Sequence, residues 1–250
     1  MLRNTKGDRT LKENLLLASS TAFVAGVINV AGVIAFFAFT SNIIGHVANL
    51  AKNVVEKDFE EIHVFLVWLL LFFSGAFISS FAINSFKHKS NYHAHAIPIV
   101  IEIFILIFVA VYGNNFYKES DAEREVVIGC ILLSMGLQNG MVSIISGGLI
   151  KSTHLTGLIT DLGAETAEWI HLKSNKNEVI KNKIYVRATI LSFYIFGGLI
   201  GAYFFNLYEL KVFYFVPVIL LTILYYDLVP VISHKIVRLF SLTKSEAKTF

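Results

Sequence analysis

The sequence predicts an all-α integral membrane protein: six transmembrane helices as a 3+3 inverted repeat, with a short amphipathic or re-entrant helix after spans one and four. Three observations carry that prediction. The 250 residues are 55% hydrophobic and only 16% charged, whereas soluble domains sit nearer a quarter charged. Six windows are apolar over the roughly 20 residues that a helix needs to cross the hydrocarbon core. The polar punctuation of the first three windows recurs, in order, in the last three.

Residues 1–14 form a polar cytoplasmic leader containing Arg3, Lys6, Arg9 and Lys12. The apolar run behind it, 15–39, is about twice a signal-peptide core in length and reads as a span. Inside a bilayer such a run must satisfy its own backbone hydrogen bonds, so it is helical. The stretch 40–56 is amphipathic and too polar to cross. Windows 64–83 and 94–112 complete a first repeat over 15–112, and an external loop is expected at 113–125. The second repeat, 126–232, holds windows 126–145, 184–205 and 212–232, with a cytoplasmic tail at 233–250.

Between its first two windows lies a second amphipathic stretch, 151–172. There Thr153, Thr156, Gly157, Thr160, Asp161, Ala164, Glu165 and Glu168 share one face at helical spacing. Leu155, Leu158, Ile159, Leu162, Trp169 and Ile170 share the other.

Charge sets the expected orientation. Of the 21 Lys and Arg residues, all but Lys52, Lys57, Lys118, Arg124 and Lys211 fall on the side of the leader and tail. That positive-inside bias predicts cytoplasmic termini. It also accounts for the net charge of +3 without a nucleic-acid partner. The single cysteine, Cys130, lies in an apolar run and offers neither a disulfide nor a cysteine metal site.

The repeat is explicit. Gly26-Val27-Ile28-Asn29 matches Gly136-Leu137-Gln138-Asn139. The segment Thr40–Leu50 matches Ser152–Leu162, placing Gly45 on Gly157 and Asn49 on Asp161. Ser74-Gly75-Ala76 matches the Gly197-Gly198 region, Asn84 falls on Asn206, and Pro98 matches Pro217. Three spans per half is an odd number, so the second half enters from the opposite side. That arrangement belongs to secondary transporters with sites at the repeat interface near the midplane.

"MGLQNG" (Met135–Gly140) and "THLTGLITDLG" (Thr153–Gly163) resemble the second-half signature of the YoaK-like bacterial membrane proteins. "GVINVAGVIAFFAFTSNIIGHVANL" (Gly26–Leu50) is similar to that family's first-half signature. It departs by carrying Asn29 in place of an aspartate and Ile44-Gly45-His46 in place of Thr-Gly-Asn. The resemblance implies a six-span, multi-pass protein of a bacterial inner (cytoplasmic) membrane, and it implies no substrate.

The candidate site is the set of polar residues in the matched boxes. From the first half these are Asn29, Ser41, Gly45, His46 and Asn49; from the second, Gln138, Asn139, Thr156, Gly157, Thr160 and Asp161. A buried carboxylate is costly and faces a cavity or a partner. Asp161 is therefore read either as part of a solute site or as a helix-end pairing residue. A histidine side chain ordinarily titrates near neutrality, so His46 could carry a proton; the alternative is an interfacial ring bonded to backbone. Glu102, mid-span and with Leu221 at its matched place, is a proton-coupling candidate or a structural hydrogen-bonding group. His88, His93 and His95 cluster at the start of the third window and could bind a metal, but such a group is more often solvated or interfacial, so no metal and no cofactor are expected; Asp227 is expected to snorkel to the interface.

No nucleophile elbow, His-Glu-x-x-His or phosphate-cradling loop is present, so an enzyme is not expected. The expected function is a secondary transporter or permease for a small molecule or ion, embedded in a lipid bilayer. The alternatives are a channel or a non-transporting membrane scaffold. A core of two three-span repeats is small, which leaves a homodimer open.

Overall fold

The computed structural model describes residues 1–5, 7–118, 120–171 and 177–229. Among these residues every regular element is a helix: α1 (Leu11–Phe36), α2 (Ile43–Glu56), α3 (Phe59–Phe86), α4 (Asn91–Asn115), α5 (Asp121–Ser146), α6 (Leu155–His171) and α7 (Glu178–Tyr208). A 3-10 segment, Glu209–Tyr214, leads into a last helix, α8, over 215–229. The tail and positions 230–232 of the last expected window lie outside the described residues.

Five stretches are long and apolar enough to cross a membrane: α1, α3, α4, α5 and the run Glu178–Val229. That fifth run folds back on itself. The Phe215 ring of α8 sits 5.3 Å from Phe204 of α7. Leu210 abuts Gly113 at the end of α4, while Tyr92 at its start donates to the Leu224 carbonyl at 3.1 Å. α8 therefore runs antiparallel to α4.

The helices begin where the sequence supplies an acceptor for their orphan N–H groups. Thr10 and Glu13 form a capping box. Asn42, Asp58, Ser90, Ser120 and Asn177 each cap the helix that follows. Their ends correct several expected boundaries. The first apolar run does not stay helical to residue 39, because α1 stops at Phe36 with Phe37 left-handed at φ 52°. The expected 113–125 loop is mostly helix, since α4 runs to Asn115 and α5 starts at Asp121. α5 ends at the matched place to α1, on left-handed Gly147 at φ 64°.

The core is built on two crossings, α1 on α7 and α3 on α5, the most extensive helix pairs in the molecule. Each brings backbone against backbone. A Cβ on Gly26 would strike the Tyr194 carbonyl and the Gly198 nitrogen; a Cβ on Gly136 would strike the Phe72 carbonyl and the Ala76 nitrogen. From the other side of each crossing, Gly197 meets the Phe23 carbonyl and Gly75 meets the Leu133 carbonyl. Small residues at these points permit the approach that drives helix association in lipid, where apolar burial alone does not discriminate. A buried bond from Gln138 Nε2 to the Thr21 carbonyl, 2.8 Å, ties α5 to α1 across the centre.

After α1 and α5 the chain turns back into the protein. Ser41 reaches Asn29 and Thr153 reaches Asn139. Each asparagine lies about 10 Å below the end of its helix at 1.5 Å per residue. α2 and α6 thus start deep and climb outward along α3 and α7.

Asp227 does not snorkel. It is fully buried, accepting from the Met1 ammonium at 2.6 Å and the Leu2 N–H at 2.7 Å, with Arg3 Nε at 3.6 Å.

Candidate functional site

A cavity of about 810 Å³ lies where the two returning segments meet the glycine crossings. Four helices and both inserts contribute to its wall. α1 gives Asn29 and Val30, α3 gives Phe72 and Ala76, α5 gives Asn139, Gly140 and Ser143, and α7 gives Tyr194. The first insert adds Phe39 and Ser41–Ile44, and the second adds Lys151 and Thr153–Thr156.

Two asparagine clasps hold this wall. Asn29 Oδ1 accepts from the Ser41 hydroxyl at 3.0 Å, and its Nδ2 donates to Tyr194 Oη at 2.7 Å. Asn139 Nδ2 donates to Thr153 Oγ1 and to the Met135 carbonyl, both at 2.9 Å. Asn29 and Asn139 are therefore anchors that pull the inserts back against their own helices. Behind the second clasp, Ser152 Oγ donates to Thr21 Oγ1 at 3.0 Å, so the second insert also grips α1. At the turn into each insert helix the glycines serve packing: a Cβ on Gly45 would press on Asn42, and one on Gly157 would collide with the His154 ring.

The expected site residues are thus divided. Asn29, Ser41, Asn139 and Thr156 line the cavity together. Gly45, His46 and Gly157 are not among the lining residues. His46 is buried, with Nε2 2.8 Å from the Phe39 carbonyl and its ring packed on Phe65 and Trp68 at 5.8 and 5.2 Å. Burial holds its pKa below the ordinary 6.5, against a smaller opposing pull from the Phe39 carbonyl. Gln138 is buried on Thr21. Asn49 and Thr160 are exposed and outside the lining, Thr160 bonding only its own helix at the Thr156 carbonyl.

Asp161 is also outside the lining. It is 54% exposed and pairs with Arg187 NH1 at 2.9 Å, while Glu165 takes Nε and NH2 of the same guanidinium at 2.7 and 3.0 Å. The arrangement latches α6 to α7. Glu102 is fully buried on α4, away from the cavity lining, and neither carboxyl oxygen has a hydrogen-bond partner. Among the described residues no cluster of three or more His, Cys, Asp or Glu side chains could hold a metal ion. His95 is not solvated but buried, with Nδ1 against the Leu2 carbonyl.

Sequence reasoning missed Tyr194, Ser143, Lys151 and His154. His154 and Thr153 stand inside the matched segment and could have been found there. Tyr194 aligns with Phe72, an ordinary apolar position that gave no polar signal.

The chain is 24% identical over 187 residues, 74% of its length and 81% of the relative's, to UPF0700 transmembrane protein YoaK of Bacillus subtilis (strain 168). No solved structure matches it. The model of a family described as protein of unknown function (DUF1275) matches residues 17–226, and the chain belongs to that family.

Proposed function

We propose that this protein is a secondary transporter for a small solute, which binds in the cavity between two inverted three-span halves near the membrane midplane. The observation that carries the reading is the composition of the cavity wall. Matched residues of the two halves, Asn29 with Asn139 and Ser41 with Thr153, meet across one space. Such sites at the interface of inverted repeats, built with discontinuous helices, serve alternating access.

The paired geometry supports the inverted repeat. The two glycine crossings, the two clasps and the two left-handed helix ends fall at corresponding positions. The fold-back at Glu209–Tyr214 supports a sixth crossing by α8. The excess of Lys and Arg on one side supports cytoplasmic termini in an inner membrane.

The test needs no knowledge of the solute. A single cysteine replaces Ser143 in a Cys130→Ala background, and a membrane-impermeant maleimide is applied from each face of proteoliposomes. Alternating access predicts labelling from both faces, with closure of one face by cross-linking of an insert leaving the other reactive. Labelling from one face only sinks the reading. Sustained current in a planar bilayer would favour the channel instead.

A further inference from the structure

We propose that the cavity selects an organic monoanion, its carboxylate held between Lys151 and His154 and its apolar body against Phe39, Phe72, Ile43 and Ile44. The proposal rests on the reading of this cavity as the solute site, and the charge inventory of its wall carries it. Lys151 is the only lining residue with a full charge, and no lining residue is a carboxylate. Among the described residues Lys151 enters no ion pair. Of the three carboxylates on α6, Asp161 and Glu165 are engaged by Arg187 and Glu168 is outside the cavity lining. A cation here would find no counter-charge in the wall, whereas an anion meets the exposed Lys151 ammonium.

The uncommitted hydrogen-bonding groups point the same way. The acceptor oxygens of Asn29 and Asn42 are occupied, by the Ser41 hydroxyl and by the Gly45 N–H. What remains at the wall is the Lys151 ammonium and the Asn42 amide nitrogen as donors, the His154 ring and the Ser143 hydroxyl, which donate or accept, and Asn139 Oδ1 as an acceptor. The Lys151 ammonium and the Asn42 amide nitrogen can only donate, and charge-assisted bonds to a carboxylate are the strongest available to them. The helix ends reinforce it. The caps and first turns of α2 and α6, Asn42–Ile44 and His154–Thr156, line the cavity, so two helices present their positive ends to one space.

Size and walls exclude a bare inorganic ion. About 810 Å³ lies within the range of pockets for organic ligands, roughly 300–1,000 Å³. Phe39, Phe72, Ile43 and Ile44 would leave much of a halide's surroundings dry and unpaired.

Three probes with one ring and three charges test this on the full chain in detergent: benzoate, benzamide and benzylammonium. Binding is read from the shift of the thermal midpoint with concentration. Benzoate should bind at least about tenfold more tightly than benzamide, the step that one charge-assisted bond supplies, and benzylammonium should not bind. Lys151→Gln, an exposed position that folding tolerates, should abolish the preference for benzoate over benzamide. Lys52→Gln, elsewhere on the surface, should retain it. Equal binding of benzamide, tighter binding of benzylammonium, a preference that survives Lys151→Gln, or no shift with any probe overturns the proposal. The Ser143→Cys accessibility measurement is made without a ligand, so the transport reading stands or falls separately.

Discussion

α2 and α6 occupy corresponding places, yet they are fastened by unlike chemistry. On α2 the buried His46 lies in an aromatic cage of Phe65 and Trp68 from α3, and its ring nitrogen meets the Phe39 carbonyl. On α6 the place of His46 is taken by buried Leu158, and the fastening is ionic, with Arg187 of α7 gripping Asp161 and Glu165. Arg187 aligns with Phe65, so one position is an aromatic wall in one half and a guanidinium in the other. The glycine crossings beneath are built alike in both halves. Close backbone packing leaves no room to vary. A half-exposed docking face admits any chemistry that holds a short helix down.

That contrast can be broken from either side. The largest effect should come from Arg187→Met, which leaves the largely buried Glu165 without its bidentate partner; breaking such a pair costs about 3–5 kcal/mol. Limited proteolysis should then cut within α6 while α2 stays protected, and unchanged protection of α6 would show that the latch does not hold it. Next, His46→Ala empties the cage and abandons the Phe39 carbonyl, a loss of about 1–3 kcal/mol in thermal stability. Here α2, not α6, should open to protease.

Acid sharpens the comparison. Because His46 is held below 6.5 in the folded protein, the unfolded chain binds its proton more readily. The neutral ring's contribution is complete above about pH 6.5 and declines as the pH falls through that value toward the lowered folded one. Melting curves recorded down to about pH 5 should lose stability more steeply in the parent than in His46→Phe, which has no proton to take up. Parallel curves would remove His46 as the cause. The smallest effect belongs to Asp161→Asn, since this carboxylate is 54% exposed and such pairs contribute about 0–1 kcal/mol. Its cost should shrink further in high salt; a cost above about 2 kcal/mol would mean that Asp161, rather than Glu165, bears the latch.

The spans, the inserts and the asparagines of the cavity were legible because periodic hydropathy and internal matches are local signals. Asn29 and Asn139 announced themselves as amides in long apolar runs. Arg187 did not, since it reads as one more basic residue near a cytoplasmic loop and only folding brings it to Asp161. The pairing of Asp227 with Met1 joins residues 226 positions apart, and no window of sequence spans that distance. The end of α1 was hidden for a different reason. Ala38 and Phe39 continue the apolar run, so hydropathy gives no stop, and the left-handed Phe37 stands where the second half announces its turn with Gly147.

The glycine crossings also bear on how the chain is made. Each one joins a helix of the first half to a helix of the second, α1 with α7 and α3 with α5. As the ribosome feeds the membrane, α1 and α3 arrive with their closest partners not yet synthesised. The carbonyls of Phe23 and Phe72 wait until α7 and α5 are inserted to be covered by Gly197 and Gly136. The first half thus carries a seam that stays open until its complement has been inserted.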